Sequence, residues 1–248
     1  NRDLKQSLKC CFSDLYCKKV RTKDAIDNGI LPDPKVYLIP LTLDNSIANQ
    51  VIVRNPKLKN VIKTTFDHRW QYLYKQFKGA RVEVYCTEQQ YNDWADFEIS
   101  RTKNKFISTR VSFLQNKWLQ LCSARLKWLS EVKTKYIKDI HNILKEERTL
   151  TFCSGISQTE ELGEHCINSK NKASQKNLDS FNKGEINHIT ACNMLDEGMN
   201  LVNCRVGIYA NLNSSERIIK QKLGRLLRHP DPIIIIPYFK GTREEEIV

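Results

Sequence analysis

The sequence predicts a parallel α/β domain interrupted by a long, basic and largely helical insertion, and three observations predict it. Apolar runs without polar alternation, of which Ile233-Ile-Ile-Ile236 is the clearest, call for strands covered on both faces. From residue 149 onward such runs take turns with helical segments, the rhythm of a parallel sheet with helices on both sides. The middle of the chain breaks that rhythm and holds most of the net charge.

At the start, Leu4, Leu8, Phe12, Leu15 and Tyr16 recur at three- and four-residue steps, so residues 3 to 27 read as a helix that Asn28-Gly29 stops. Leu31-Pro-Asp-Pro34 then turns the chain into Val36 to Leu43, an apolar run expected as a buried strand. Phe66 to Phe77 has helical spacing and Arg81 to Cys86 that of a short strand. From Asn104 to Glu147 one stripe runs through Leu114, Trp118, Leu121, Arg125, Trp128, Val132, Tyr136, Ile140 and Ile143 or Leu144. It predicts one long helix or two with a bend. Trp118 and Trp128 are thereby packing residues first and base-stacking candidates second. The other faces carry Lys117, Lys127, Lys133, Lys135, Lys138 and Lys145. Strands follow at Thr149 to Cys153, His188 to Cys192, Arg205 to Tyr209 and Ile233 to Tyr238, with helices at Gln158 to Cys166, Asn177 to Asn182 and Ser214 to Leu227.

A chain of 248 residues, 40% of them hydrophobic, buries a substantial core. No stretch approaches the roughly eighteen apolar residues that span a bilayer, and Asn1 opens no signal peptide. The expectation is a cytoplasmic protein, in style bacterial or phage-like. Nine scattered cysteines, an odd number, fit reduced thiols, and none forms the close pairs of a zinc site, so no metal is expected. Of the net charge of +12, residues 51 to 148 supply +10, from twenty Lys/Arg against ten Asp/Glu; residues 149 to 248 hold twelve of each. Such a basic segment attracts polyanions by counterion release, nucleic acid above all, although a lysine-rich solvated face has the same composition.

Ligands of parallel sheets gather beyond the carboxyl ends of strands. Ser154-Gly155-Ile156-Ser157 follows the strand at 149, where small polar residues fit either a phosphate contact or a helix cap. Asn193-Met-Leu-Asp-Glu197-Gly198-Met-Asn200 follows the strand ending at Cys192; Gly198 allows close backbone approach and Asn200 offers hydrogen bonds, while the carboxylates fit solvation equally well. Gln221-Lys-Leu-Gly224-Arg225-Leu-Leu-Arg228 sets two guanidinium groups three residues apart on one helical face.

In order and spacing these segments resemble the second RecA-like motor domain of superfamily 2 helicases of the DEAD/DEAH type. Thr149 to Ser154 resembles motif IV, Cys192 to Asn200 motif V, and Gln221 to Arg228 the Q-x-x-G-R-x-x-R form of motif VI. The resemblance divides the chain into residues 1–34, a helix and linker from a preceding motor domain; residues 35–50 and 148–248, the RecA-like domain; and residues 51–147, the basic insertion. It implies that Arg225 and Arg228 are arginine fingers, with Gln221 coupling to the cleft. Glu197, Gly198, Asn200 and Gly224 would lie near the nucleotide, and Ser154, Gly155, Ile156, Cys192 and Asn193 would touch a nucleic-acid strand. Cys192 stands where the family often has Thr, and Lys222 replaces a frequent Arg.

There is no G-x-x-x-x-G-K-[ST] loop and no D-E-x-[DH] box, so ATP and Mg²⁺ would be held mainly by the first motor domain, and this chain alone should not hydrolyse ATP. The implied partners are that domain and nucleic acid, DNA ahead of RNA. Two other readings remain open at this point. One is a non-catalytic nucleic-acid-binding module on a motor-like fold; the other is a double-strand translocase or restriction-type motor subunit.

Overall fold

A computed structural model describes residues 22–67, 79–192, 201–212 and 228–248. After a short helix α1 (Thr22–Asp27) the chain enters β1 (Lys35–Leu41). It continues through β2 (Gln50–Arg54), β3 (Val61–Thr65) and β4 (Arg81–Cys86) to helices α2 (Glu88–Thr109), α3 (Ser112–Val132) and α4 (Thr134–Ile143). Then come β5 (Thr149–Phe152), α5 (Ile156–Leu162), β6 (Cys166–Ile167), α6 (Ser174–Lys183), β7 (His188–Ala191), β8 (Val206–Tyr209), β9 (Ile233–Phe239) and α7 (Arg243–Ile247).

Six of these strands form one parallel sheet in the order β1-β9-β8-β5-β7-β6. On one face Leu150, Phe152, Ile189, Ile234 and Ile236 meet Leu178 and Phe181 of α6. On the other, Val206, Ile208, Ile233 and Ile235 meet Ile137 and Ile140 of α4 and Leu162 of α5. Successive isoleucines of β9 thus enter opposite cores, which is why the run shows no alternation. Each side chain of this kind contributes about 1.5–3 kcal/mol when fully buried.

Three sequence expectations need correction. The first strand lies at the sheet edge, pairing with β9 alone among the described residues, and its Val36, Tyr37 and Leu38 are about half exposed. The helix expected over Gln158 to Cys166 ends at Leu162; Gly163 breaks it, and Cys166–Ile167 pairs with β7 as a sixth strand. Lys133, expected on a solvated face, is fully buried: its Nζ donates to Glu244 Oε1 at 2.6 Å and to Pro237 O at 3.2 Å. The helix expected at Ser214 to Leu227 and most of those at 3 to 27 and 66 to 77 fall outside the described residues.

The segment 51–147 is largely helical and begins with a small sheet, β2-β4-β3, in which β4 runs antiparallel to β2 and parallel to β3. Alternate residues of β4, Val82, Val84 and Cys86, join Ile52, Tyr91 and Trp94 in a core of their own. Helix α2 starts on a capping box, Gln90 N donating to Thr87 Oγ1 at 3.2 Å and Thr87 N to Gln90 Oε1 at 3.0 Å. It ends at Arg110, whose left-handed backbone (φ 56°) reverses the chain into α3. The predicted stripe from Leu114 to Leu144 is at least partly covered at every position when Leu144 is taken, with Trp128 buried, whereas Ile143 is exposed. Its last part, on α4, belongs to the core of the main sheet rather than to the inserted hairpin.

Candidate nucleic-acid interface

The inserted hairpin is rooted at the carboxyl edge of the main sheet. Leu41 and Leu43, where the chain leaves β1, share a cluster with Phe239 at the end of β9 and with Leu129 and Trp128 of α3. Trp128 donates from Nε1 to Gln50 Oε1 at 2.8 Å and packs on Tyr91 with ring centroids 4.5 Å apart. Glu88, the first residue of α2, receives the Asp44 backbone N–H at 2.9 Å and the Lys135 ammonium at 3.0 Å. Phe106 and Trp118 stack farther out along the hairpin, at 6.3 Å. Both stripe tryptophans are therefore packing residues, as their periodicity implied.

From this root α3 passes the loop that follows β5, and one buried amide joins them. Gln158 Oε1 accepts from Ser130 Oγ at 2.8 Å, from Ser154 N at 3.0 Å and from Ser154 Oγ at 3.2 Å. Its Nε2 donates to Ser130 O at 2.5 Å and to Thr134 Oγ1 at 3.3 Å. Gly155 occupies the N-cap position of α5 without any side-chain cap, so Ser154 is spent on Gln158 rather than on the helix end. A Cβ placed on Gly155 would lie 3.2 Å from Lys127 Cε and 3.6 Å from Lys127 Nζ. Lys127, 55% exposed and 3.7 Å from Glu131, thus brings an ammonium of the insertion onto the loop expected to touch nucleic acid. Ser154, Gly155 and Ile156 are partly exposed there. Sequence pattern singles out neither Lys127 nor Gln158, since their partners lie across a helix boundary and nearly thirty residues away.

At the end of β7, Cys192 is only 5% exposed and its N–H donates to Ile167 O at 3.1 Å, so its thiol is not offered to the surface. Asn193, Glu197, Gly198 and Asn200 lie outside the described residues. The chain beyond Asn200 is anchored: Leu201 is buried, Val202 N donates to Asn182 Oδ1 at 2.9 Å, and the Arg148 guanidinium donates to Val202 O and Asn203 O while lying over the Phe181 ring.

Arg228 is exposed on the turn entering β9, at the amino edge, whereas Gln221, Gly224 and Arg225 are outside the described residues. Nearby Asp231 accepts from Lys35 at 2.9 Å and Arg205 at 2.8 Å, and these cations hold its carboxyl below the usual range. Arg228 and the Ser154–Ile156 loop therefore sit at opposite edges of the sheet. Of the expected site residues that are described, Arg228 lies at one edge and Ser154, Gly155, Ile156 and Cys192 lie at the other. Among the described residues no group of three His, Cys, Asp or Glu gathers as for a metal, and no helix is long and apolar enough to cross a membrane.

A six-stranded parallel sheet with helices packed on both faces defines a parallel α/β domain. Residues 132–230 match the helicase conserved C-terminal domain. No curated protein is significantly similar in sequence. Solved structures similar to part of the chain include the C-terminal part of the Fun30 ATPase domain, at 17% identity over 46% of this chain and 43% of that one, with a TM-score of 0.39. Others are the C-terminal domain of the DEAD-box protein Dbp5, at 12% identity, 46% and 73% coverage and 0.40, and the Pyrococcus furiosus Hef helicase domain, at 16%, 64% and 37%, and 0.36. This chain spans less than half the length of the first of these.

Proposed function

We propose that this chain is the second motor domain of an ATP-driven helicase or translocase, in which the carboxyl edge of the sheet and the inserted hairpin form one track for nucleic acid. The observation that carries the reading is Lys127 of the insertion lying on Gly155 of the strand-end loop, with Gln158 fastening the two. Phosphates following that edge would meet Ser154, Gly155 and Ile156 and then the basic hairpin, with Asn193 alongside; the buried Cys192 would serve through its backbone position. Arg228, at the opposite edge, and Arg225, with Gln221 and Gly224 of the same sequence segment, would reach the γ-phosphate of ATP held with Mg²⁺ by the first motor domain. Glu197, Gly198 and Asn200 would flank the nucleotide. Separate edges suit separate tasks: the charge that develops in phosphoryl transfer and the strand being moved would be gripped by one domain.

The test titrates the chain with single- and double-stranded DNA and RNA across a salt series. Binding should weaken as salt rises, and Lys127→Gln should reduce the slope of log affinity against log salt by about 0.7–0.9, the share of one phosphate contact. In the full-length protein Arg225→Ala should abolish ATP turnover and leave nucleic-acid affinity largely intact. Turnover that survives removes the finger assignment; a slope untouched by Lys127→Gln removes the track.

A further inference from the structure

We infer that the free end of the α2–α3 hairpin is a binding site for unpaired nucleic acid, with Phe113 offering its ring to a base and Lys105, Arg110 and Lys117 meeting the flanking phosphates. This rests on the reading that the chain works on nucleic acid, and it names what one part of the track takes.

Charge along the hairpin is sorted rather than mixed. Every carboxylate of α2 and α3 lies near the root, at Glu88, Asp93, Asp96, Glu98 and Glu131, and none occurs from Ile99 to Ser130. Over that same stretch stand Arg101, Lys103, Lys105, Arg110, Lys117, Arg125 and Lys127. The cations nearest the root are engaged, Arg101 with Glu98 at 2.9 Å and Arg125 with Asp96. Lys103 lies 5.6 Å from the centre of the Trp118 ring. Beyond them Lys105, Arg110 and Lys117 are exposed and make no ion pair with any described residue. A hairpin that merely needed a solvated surface would gain from carboxylates three or four residues from these lysines.

Apolar side chains are exposed in the same place. Ile107, Val111 and Phe113 flank the turn, and Phe113, 69% exposed, has no ring partner among the described residues. Phe113 and Lys117 are four residues apart on α3 and share a face, so a base on the ring would leave its phosphate within reach of the ammonium. The turn is firmly built: the Arg110 N–H donates to Phe106 O at 2.7 Å, and Phe106 stacks on Trp118 just inside. A protein partner for this tip would have to bring the missing carboxylates, whereas nucleic acid brings phosphates and, where unpaired, an open base face. Duplex supplies the phosphates but hides the bases.

The experiment measures binding of the intact chain to a fluorescent single-stranded oligonucleotide and to a blunt duplex over a salt series. Phe113→Ala is expected to weaken single-strand binding about tenfold, the scale of one lost base stack, and to leave duplex binding within about twofold. Phe113→Trp should retain single-strand binding. Lys105→Gln with Arg110→Gln and Lys117→Gln should lower the single-strand salt slope by about 2. The same number of changes at exposed Lys172, Lys176 and Lys183 on and beside α6 should not. If the unaltered chain binds neither probe, the nucleic-acid reading and this site fall together. If it binds and Phe113→Ala changes nothing, or weakens both probes equally, the tip assignment alone is overturned.

Discussion

The main sheet and the inserted hairpin use charge in opposite ways. Residues 149 to 248 hold twelve Lys/Arg against twelve Asp/Glu, and some pair at the sheet margins, as Arg205 does with Glu147 and Asp231. The hairpin keeps its carboxylates at the root and leaves its outer half uniformly cationic. Balanced margins hold a fold together with little field outside it; a sorted charge leaves a field for a polyanion to feel. The two regions nevertheless meet through buried polar bolts, so cutting a bolt separates structural from electrostatic contributions.

The largest effect is expected at Lys133 and Glu244, which join the α3–α4 junction to the end of the sheet with both side chains fully buried. Burial holds the Lys133 ammonium below its ordinary range, and Glu244 opposes that shift. Lys133→Met or Glu244→Leu alone leaves one buried charge without its partner and should cost about 3–5 kcal/mol in denaturant unfolding. The double change should recover most of that loss. Equal losses in single and double variants would show that the pair is not what links the regions.

A smaller effect comes from pH. His141 of α4 shares a 2.7 Å hydrogen bond with Thr151 Oγ1 of β5 and packs edge-on to His188. Burial first, and the neighbouring His188 second, depress its pKa from 6.5 to about 4. The unfolded chain then binds the proton more readily than the folded one. This contribution is fully present above pH ~6.5 and declines as pH falls toward ~4, by about 3 kcal/mol at most. His141→Gln should flatten that part of the stability profile relative to the unaltered chain; parallel profiles would exclude it.

The smallest effect belongs to Gly155. Its backbone is extended, so Ala is allowed there, and the added methyl has only the flexible end of Lys127 to displace. Gly155→Ala should change stability by less than about 0.5 kcal/mol while shifting the single-strand salt slope in the direction of Lys127→Gln. A stability loss with an unchanged slope would mean that the contact is packing alone.

Much of this architecture is legible in residue order because both faces of a covered strand must be apolar, and Ile233 to Ile236 states that directly. Strand β6 is not legible: two residues, Cys166 and Ile167, carry no periodicity to set against the helical spacing before them. Nor are β2 and β3, which are five residues each and interrupted by lysines and Pro56. Lys133 is misread because a lysine opposite an apolar stripe is ordinarily solvated, and only Glu244, 111 positions later, makes its burial tolerable. At the site, the strand-end rule points to Ser154 and Gly155 but is silent on Arg228. That residue precedes a strand and so belongs to the other edge.

The root of the hairpin has a consequence for how force would pass through the domain. The chain departs at Leu43 and returns at Lys133, and both places touch the carboxyl end of β9, through Phe239 in one case and Pro237 in the other. The segment between them therefore begins and finishes at neighbouring points of the sheet. The two ends of the inserted segment are thereby stapled to one strand of the sheet, so strain applied to the hairpin is delivered to β9.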